Sequence, residues 1–189
     1  VTNITATYFS AALLVSFFSS TEIQLTNIIL KNSSLRFSNN PSTFPALSYL
    51  GLIVGRANAT GVAGKQSFIR NCLVEYDTIY YSSTFQPNSG HFIGGIAGTS
   101  PDGSGTIPFE YNASRYNYFY SRTGSTLRKN VGGGLIGDIS TPSASFNYNY
   151  SHSNKADFGN GGAPNNYPWG FGGIFGYTGA NNIHTFNQN

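Results

Sequence analysis

The sequence predicts an all-β fold, a parallel β-helix or closely related β-solenoid with roughly 40-residue repeats. Three observations predict it. A glycine phrase returns as "GLIVG" (51–55), "GGIAG" (94–98), "GGLIG" (133–137) and "GGIFG" (172–176), with closing glycines 43, 39 and 39 residues apart. A second phrase follows each one: "FIRN" (68–71), "FEYN" (109–112), "FNYN" (146–149) and "FNQN" (186–189), with phenylalanine steps of 41, 37 and 40. Two markers held in phase define a repeat. The third observation is strict apolar alternation, as in "YNYFY" (116–120) and "FNYNY" (146–150), with β-branched and aromatic residues dominant and no helical period.

Each element can be justified in order. The run "YFSAALLVSFF" (8–18) is too short to span a membrane and has no basic flank, so it reads as a buried strand. "IQLTNIILKNSSLRF" (23–37) is β-helix-like, and "FSNN" (37–40) is taken as an early, shortened copy of the second phrase. Turn clusters such as "SPDGSG" (100–105), "RTGS" (122–125) and "NGGAPNN" (160–166) divide each later period into two or three short strands. The whole chain, 1–189, reads as one domain: N-terminal strands and a first coil over 1–50, repeat coils over 51–189. A coil cannot bury an apolar face alone, and stacking produces one continuous core.

Within the glycine phrase Ile53, Ile96, Leu135 and Ile174 are always large and aliphatic, so they are expected to point inward. The next position drifts through Val54, Ala97, Ile136 and Phe175 and is expected outside. In the second phrase Phe and Asn are three apart, so on a straight strand an inward Phe implies an outward Asn. "FIRNC" fits poorly, because Phe68 and Arg70 would share a face; a bulge or a snorkelling Arg would accommodate them.

Composition narrows the function. Only 9% of residues are charged, against about 25% in ordinary globular proteins, and polarity comes from 21 Asn and 39 Ser plus Thr. The net charge of +3 is scattered, without the Lys/Arg stripe that nucleic-acid binding requires. The lone Cys72 excludes an intramolecular disulfide and reads as a small buried residue. Five N-glycosylation sequons occur, at Asn3, Asn32, Asn58, Asn112 and Asn149, no more than this composition supplies by chance. Asn112 and Asn149 are nonetheless expected on the outer face.

The alternation of FxxN with GG[IL] resembles the repeats of chlamydial polymorphic outer membrane proteins. The GG-aliphatic-x-G element, with "IRNC" (69–72) following, is similar to the GLUG repeats of large surface proteins. The resemblance covers about residues 51–189. It implies an extracellular β-solenoid used for adhesion or as a stalk, and it carries no catalytic residues.

Three function classes follow. An enzyme acting on polysaccharides would draw on Glu75 and Asp77, the one close acidic pair, expected on a single strand face where they could act as acid and base or bind Ca²⁺. A solvated strand face is the preferred reading of that pair. His91, His152 and His184 have no metal-like spacing, so neither catalytic nor metal site nor cofactor is assigned. A carbohydrate-binding module would use tyrosines such as Tyr76, Tyr80, Tyr81, Tyr111, Tyr116 and Tyr148 as flat platforms, unless they stack on one another instead. The preferred expectation is a non-catalytic extracellular structural protein. Its "HTFNQN" terminus carries no cap, and its partners are other copies of itself, head to tail, with N-glycans shielding the sides.

Overall fold

The computed structural model describes residues 8–20, 22–38, 47–59, 66–83, 90–102, 108–123, 129–139, 143–159, 169–178 and 183–187. Every element among them is a β-strand. The first coil runs β1 (Tyr8–Ala11), β2 (Val15–Ser20), β3 (Gln24–Thr26), β4 (Ile29–Lys31) and β5 (Ser34–Ser38). The second runs β6 (Leu47–Gly51), β7 (Val54–Ala59), β8 (Phe68–Arg70), β9 (Leu73–Glu75) and β10 (Thr78–Ser83). The third is β11 (Gly90–Gly94), β12 (Ala97–Asp102), β13 (Phe109–Glu110), β14 (Ala113–Arg115) and β15 (Tyr118–Thr123). The fourth is β16 (Lys129–Gly133), β17 (Ile136–Ile139), β18 (Ser143–Asn147), β19 (Tyr150–His152) and β20 (Lys155–Gly159). A fifth contributes β21 (Trp169–Gly172), β22 (Phe175–Thr178) and β23 (Ile183–Asn187).

Equivalent strands of successive coils pair in parallel, forming five sheets in coil order: β1-β6-β11-β16-β21, β2-β7-β12-β17-β22, β3-β8-β13-β18-β23, β4-β9-β14-β19 and β5-β10-β15-β20. This is the parallel β-solenoid the sequence predicts. Each of the first four coils holds five strands rather than two or three. The undercount arises because β3–β5 and their equivalents are separated by bends too short to leave a turn cluster.

One contiguous core fills the coils. Ile53, Ile96 and Leu135 lie within it as expected, and Phe109 stacks on Phe146 at a centroid distance of 5.6 Å. Val54, Ala97 and Ile136, expected outside, are equally buried. The reason is the bend at Gly95–Ile96 and its counterparts, after which alternation restarts, so Ile96 at the end of the bend and Ala97 after it both project inward. The apolar run 8–18 also bends: β1 and β2 are separate strands, and Leu13 and Leu14 between them are exposed.

Two register assignments change. Phe109 pairs with Ile69, not Phe68, so the second phrase in coil two is Ile69–Cys72. Ile69 fills the core, while Phe68 and Arg70 share the outer side, with the Arg70 guanidinium 4.8 Å from the Phe68 ring centroid. Neither a bulge nor a snorkelling Arg is needed. The second phrase of coil one is Leu25–Ile28, since Leu25 pairs with Ile69. Phe37, which opens "FSNN", pairs instead with Tyr81 in the fifth sheet.

Candidate functional site

The site grows from two corners that flank the fourth sheet. Among the described residues eight non-glycine residues have positive φ, and all eight fall at these corners. The first column is Asn27, Asn71, Tyr111 and Tyr148; the second is Asn32, Tyr76, Tyr116 and Ser153. Backbone bonds from Asn71 N to Glu110 O (3.1 Å) and from Tyr76 N to Arg115 O (3.3 Å) hold successive members in line. A left-handed residue reverses the face on which the following side chain emerges. Asn tolerates that conformation readily, whereas Tyr must be held in it by its surroundings.

The residue after each left-handed corner turns inward, where it must satisfy backbone groups that the bend leaves unpaired. Asn112 does so in coil three. Its Oδ1 accepts from Cys72 N at 3.0 Å, and its Nδ2 donates to Ile69 O at 2.9 Å and to Asn149 Oδ1 at 3.1 Å. Asn149 Nδ2 in turn donates to Phe109 O at 2.8 Å. At the second corner Asp77 N donates to Asn117 Oδ1 at 2.8 Å, and Asn117 N donates to Asn154 Oδ1 at 3.0 Å. Two side-chain ladders therefore run parallel to the coil axis.

This geometry overturns the expected outward placement of Asn112 and Asn149. Both are buried and both spend Nδ2 on backbone carbonyls, so neither presents the nitrogen an N-glycan needs. The error was to count parity straight through a left-handed residue. Asn32 is different: it occupies a left-handed corner with its side chain exposed. Asn58 lies on β7 in register with Ser19 and Asp102, and Asn3 is outside the described residues.

The expected shared face for Glu75 and Asp77 is also overturned, by Tyr76 between them. Glu75 faces outward beneath two cations, 2.8 Å from Lys31 Nζ and 2.8 Å from Arg115 Nε. The hydrogen bond from Lys31 holds its carboxyl below the usual range. Asp77 is buried in the corner ladder, accepting from Ser33 N at 2.6 Å and Glu75 N at 3.0 Å. Burial pushes its carboxyl up against these bonds. One acid is a strut in an ion-pair column and the other caps backbone amides.

Outward from the fourth sheet stand Ile29, Leu73, Ala113 and Tyr150 in one column and Lys31, Glu75, Arg115 and His152 in the next. Across the first corner Arg70 Nη2 lies 2.6 Å from Glu110 Oε2, and Asn147 Nδ2 donates to Glu110 Oε1 at 3.1 Å. The corner tyrosines stack along the axis: Tyr76 on Tyr116 at 5.1 Å and 8°, Tyr111 on Tyr148 at 4.9 Å and 6°. Tyr80 and Tyr120, on the fifth sheet, stack at 4.4 Å and 1°. The facing sides of each ring pair are thus spent on one another, and the Tyr116 hydroxyl lies 3.5 Å from His152 Nε2. A platform for a pyranose ring requires an open face, which these stacked pairs do not offer between them.

The sequence gives no sign of the state of His91 beyond its lack of metal-like spacing to His152 and His184. His91 is fully buried, tilts against Tyr81 at 4.3 Å, and neither ring nitrogen has a hydrogen-bond partner among the described residues. Burial pushes its pKa down to about 3. Since the unfolded value is about 6.5, the unfolded chain binds the proton first as pH falls. Stability is therefore full above about pH 6.5 and declines by about 1.4 kcal/mol per pH unit down to about pH 3. Urea unfolding at pH 7 and pH 5 should differ by about 2 kcal/mol more in the wild type than in His91→Leu. Equal losses in both proteins would show that His91 is not held neutral.

Cys72 is buried at the first corner in the place that Asn112 and Asn149 take in later coils, and desolvation raises its pKa. His152 closes the charge column, with Tyr116 edge-on at 5.3 Å. His184 lies on β23 in register with Ala144. Among the described residues no group of three His, Cys, Asp or Glu side chains is placed to hold a metal ion, and no helix is long and apolar enough to cross a membrane. Comparison with protein-family models, curated proteins and solved structures found no match to this chain.

Proposed function

We propose that this chain is a non-catalytic extracellular structural protein, a rod- or stalk-forming β-solenoid in which copies continue one another coil upon coil. The observation that carries this reading is the sameness of the coil-to-coil joint. Successive coils meet through parallel strand ladders and, at the second corner, through the same backbone-to-side-chain bond at three successive joints, from Ser33 N to Asp77, Asp77 N to Asn117 and Asn117 N to Asn154. A coil of a second copy bearing these residues can enter the same joint. Such a contact is heterologous and does not close, so it propagates as a filament.

The chemistry of the side chains supports the same reading. Glu75 and Glu110 are engaged by Lys31, Arg115 and Arg70, and Asp77 by backbone amides, which leaves these carboxylates tied into structure. With 9% charged residues, stacked copies repel one another little, and Asn, Ser and Thr keep the flanks hydrated. Asn32 is the described sequon whose exposed side chain suits an N-glycan. Negative-stain microscopy of native protein tests the proposal. Unbranched filaments of uniform width are expected; dispersed small particles under every condition of pH, salt and concentration would overturn it.

A further inference from the structure

Among the described residues, six of the nine exposed large apolar side chains gather in one region, the other three being Leu13 and Leu14 before β2 and Tyr118 on β15. Ile29, Tyr76, Tyr111, Tyr116, Tyr148 and Tyr150 all stand on the fourth sheet or its two corners, with Ile29 63% and Tyr150 52% exposed. Concentrated exposed apolar surface marks an interaction site. The charges among these residues identify the occupant. Along one column of the fourth sheet the order is Lys31, Glu75, Arg115, His152, and across the first corner, on the third sheet, Arg70 is followed by Glu110. Both columns change sign between coil two and coil three.

We propose that this face pairs with the same face of a second copy, antiparallel, about a two-fold axis that runs along the strands between coils two and three. That operation exchanges coil two with three and coil one with four while leaving each column in place. Glu75 then lies opposite Arg115 of the second copy, and Arg70 opposite its Glu110, each pair occurring twice. Ile29 lies opposite Tyr150 of the second copy at both ends of the face, and Tyr76 opposite its Tyr116. Arg115 and Arg70, 40% and 41% exposed, keep their own carboxylates and gain a second, closing four-charge networks. A linear polyanion would instead meet Glu110, and a polycation would meet Lys31, Arg70 and Arg115, while Glu75 is 7% exposed beneath its own two cations. A copy of this chain places opposite signs across from each other at coils two and three of both columns. The pairing is lateral and stands independently of end-to-end growth.

Disulfide trapping tests it, because Ile29 and Tyr150 of one chain are three coils apart, about 14 Å at the usual strand spacing, too far to bridge. Ile29→Cys and Tyr150→Cys are made separately, in protein produced without glycans, since Asn32 stands at the rim of the face. Both sites are solvent-exposed, so folding is not at risk, and Cys72 is buried. Mixing the two variants under mild oxidation should give a covalent 29-to-150 dimer at least tenfold faster than either variant alone gives a homodimer. Adding Ile29→Asp to the Tyr150→Cys chain, where it would face Tyr150 of the Ile29→Cys copy, should slow trapping of the mixture at least tenfold without altering filament formation. A 29-to-29 dimer forming as fast, which would mean a parallel arrangement, or no dimer from the mixture, overturns the proposal. Saturable binding of heparin or polylysine that Ile29→Asp leaves intact, with no trapping, would assign the face to a charged polymer and likewise overturn it.

Discussion

Asn112→Leu is expected to destabilise the protein by about 3–5 kcal/mol, although leucine nearly matches asparagine in volume. The substitution leaves Cys72 N, Ile69 O and Asn149 Oδ1 without the partners that Asn112 supplies. A buried polar group deprived of its partner costs about 1–3 kcal/mol, and Asn149 Oδ1 retains the bond from Asn112 N at 3.2 Å, which moderates its share. Because Asn112 and Asn149 share a bond, Asn149→Leu should cost less in the Asn112→Leu background than alone. Urea unfolding of the two single variants and the double variant measures both effects. A loss under about 1 kcal/mol for Asn112→Leu would mean that the corner ladder is incidental to the fold.

Gly94→Ala is expected to cost about 3 kcal/mol or more, while Gly173→Ala, in the same phrase two coils on, should stay within about 0.5 kcal/mol. A Cβ on Gly94 would lie 2.6 Å from Gly137 N and 2.8 Å from Ile136 Cα, and would also press on Ala97 O. These are backbone atoms of paired strands, so none can swing aside. A Cβ on Gly137 would meet Gly98 O and Ile93 N at 2.6 Å, which shows the same closeness one coil later. A Cβ on Gly173 meets no described atom within 4 Å. Thermal unfolding of the two variants decides the matter; equal stability would contradict close approach as the reason for the glycine phrase.

The glycine phrase shows how much was legible. Its phase and its large aliphatic member identified a parallel coil and placed Ile53, Ile96 and Leu135 in the core, because both signals depend on features that every coil must repeat. What was not legible traces to bends. Tyr111 and Tyr148 carry no glycine or proline signal, yet they sit in left-handed conformation and reverse the parity that should have sent Asn112 and Asn149 outward. The dipeptides Tyr111–Asn112, Tyr116–Asn117 and Tyr148–Asn149 are the trace these corners leave in the sequence. Coils one and two hide it, since Ile28 and Cys72 fill the corner where later coils place asparagine. Tyr76, likewise, separates Glu75 from Asp77 and turns an apparent acidic pair into an ion-pair strut and an amide cap. The burial of His91 was not legible because an isolated histidine in an apolar strand looks the same whether it is buried or exposed.

The most direct test of the rod reading is X-ray fibre diffraction from aligned filaments of the native protein. Strands lie across the coil axis and pair along it, so continuous stacking through the joints predicts a sharp meridional reflection near 4.8 Å. It also predicts equatorial scattering set by one coil cross-section, without the strong reflection near 10 Å that stacked flat sheets produce. Filaments lacking the 4.8 Å meridional repeat, or showing it together with a dominant 10 Å equatorial reflection, would contradict coil-upon-coil assembly.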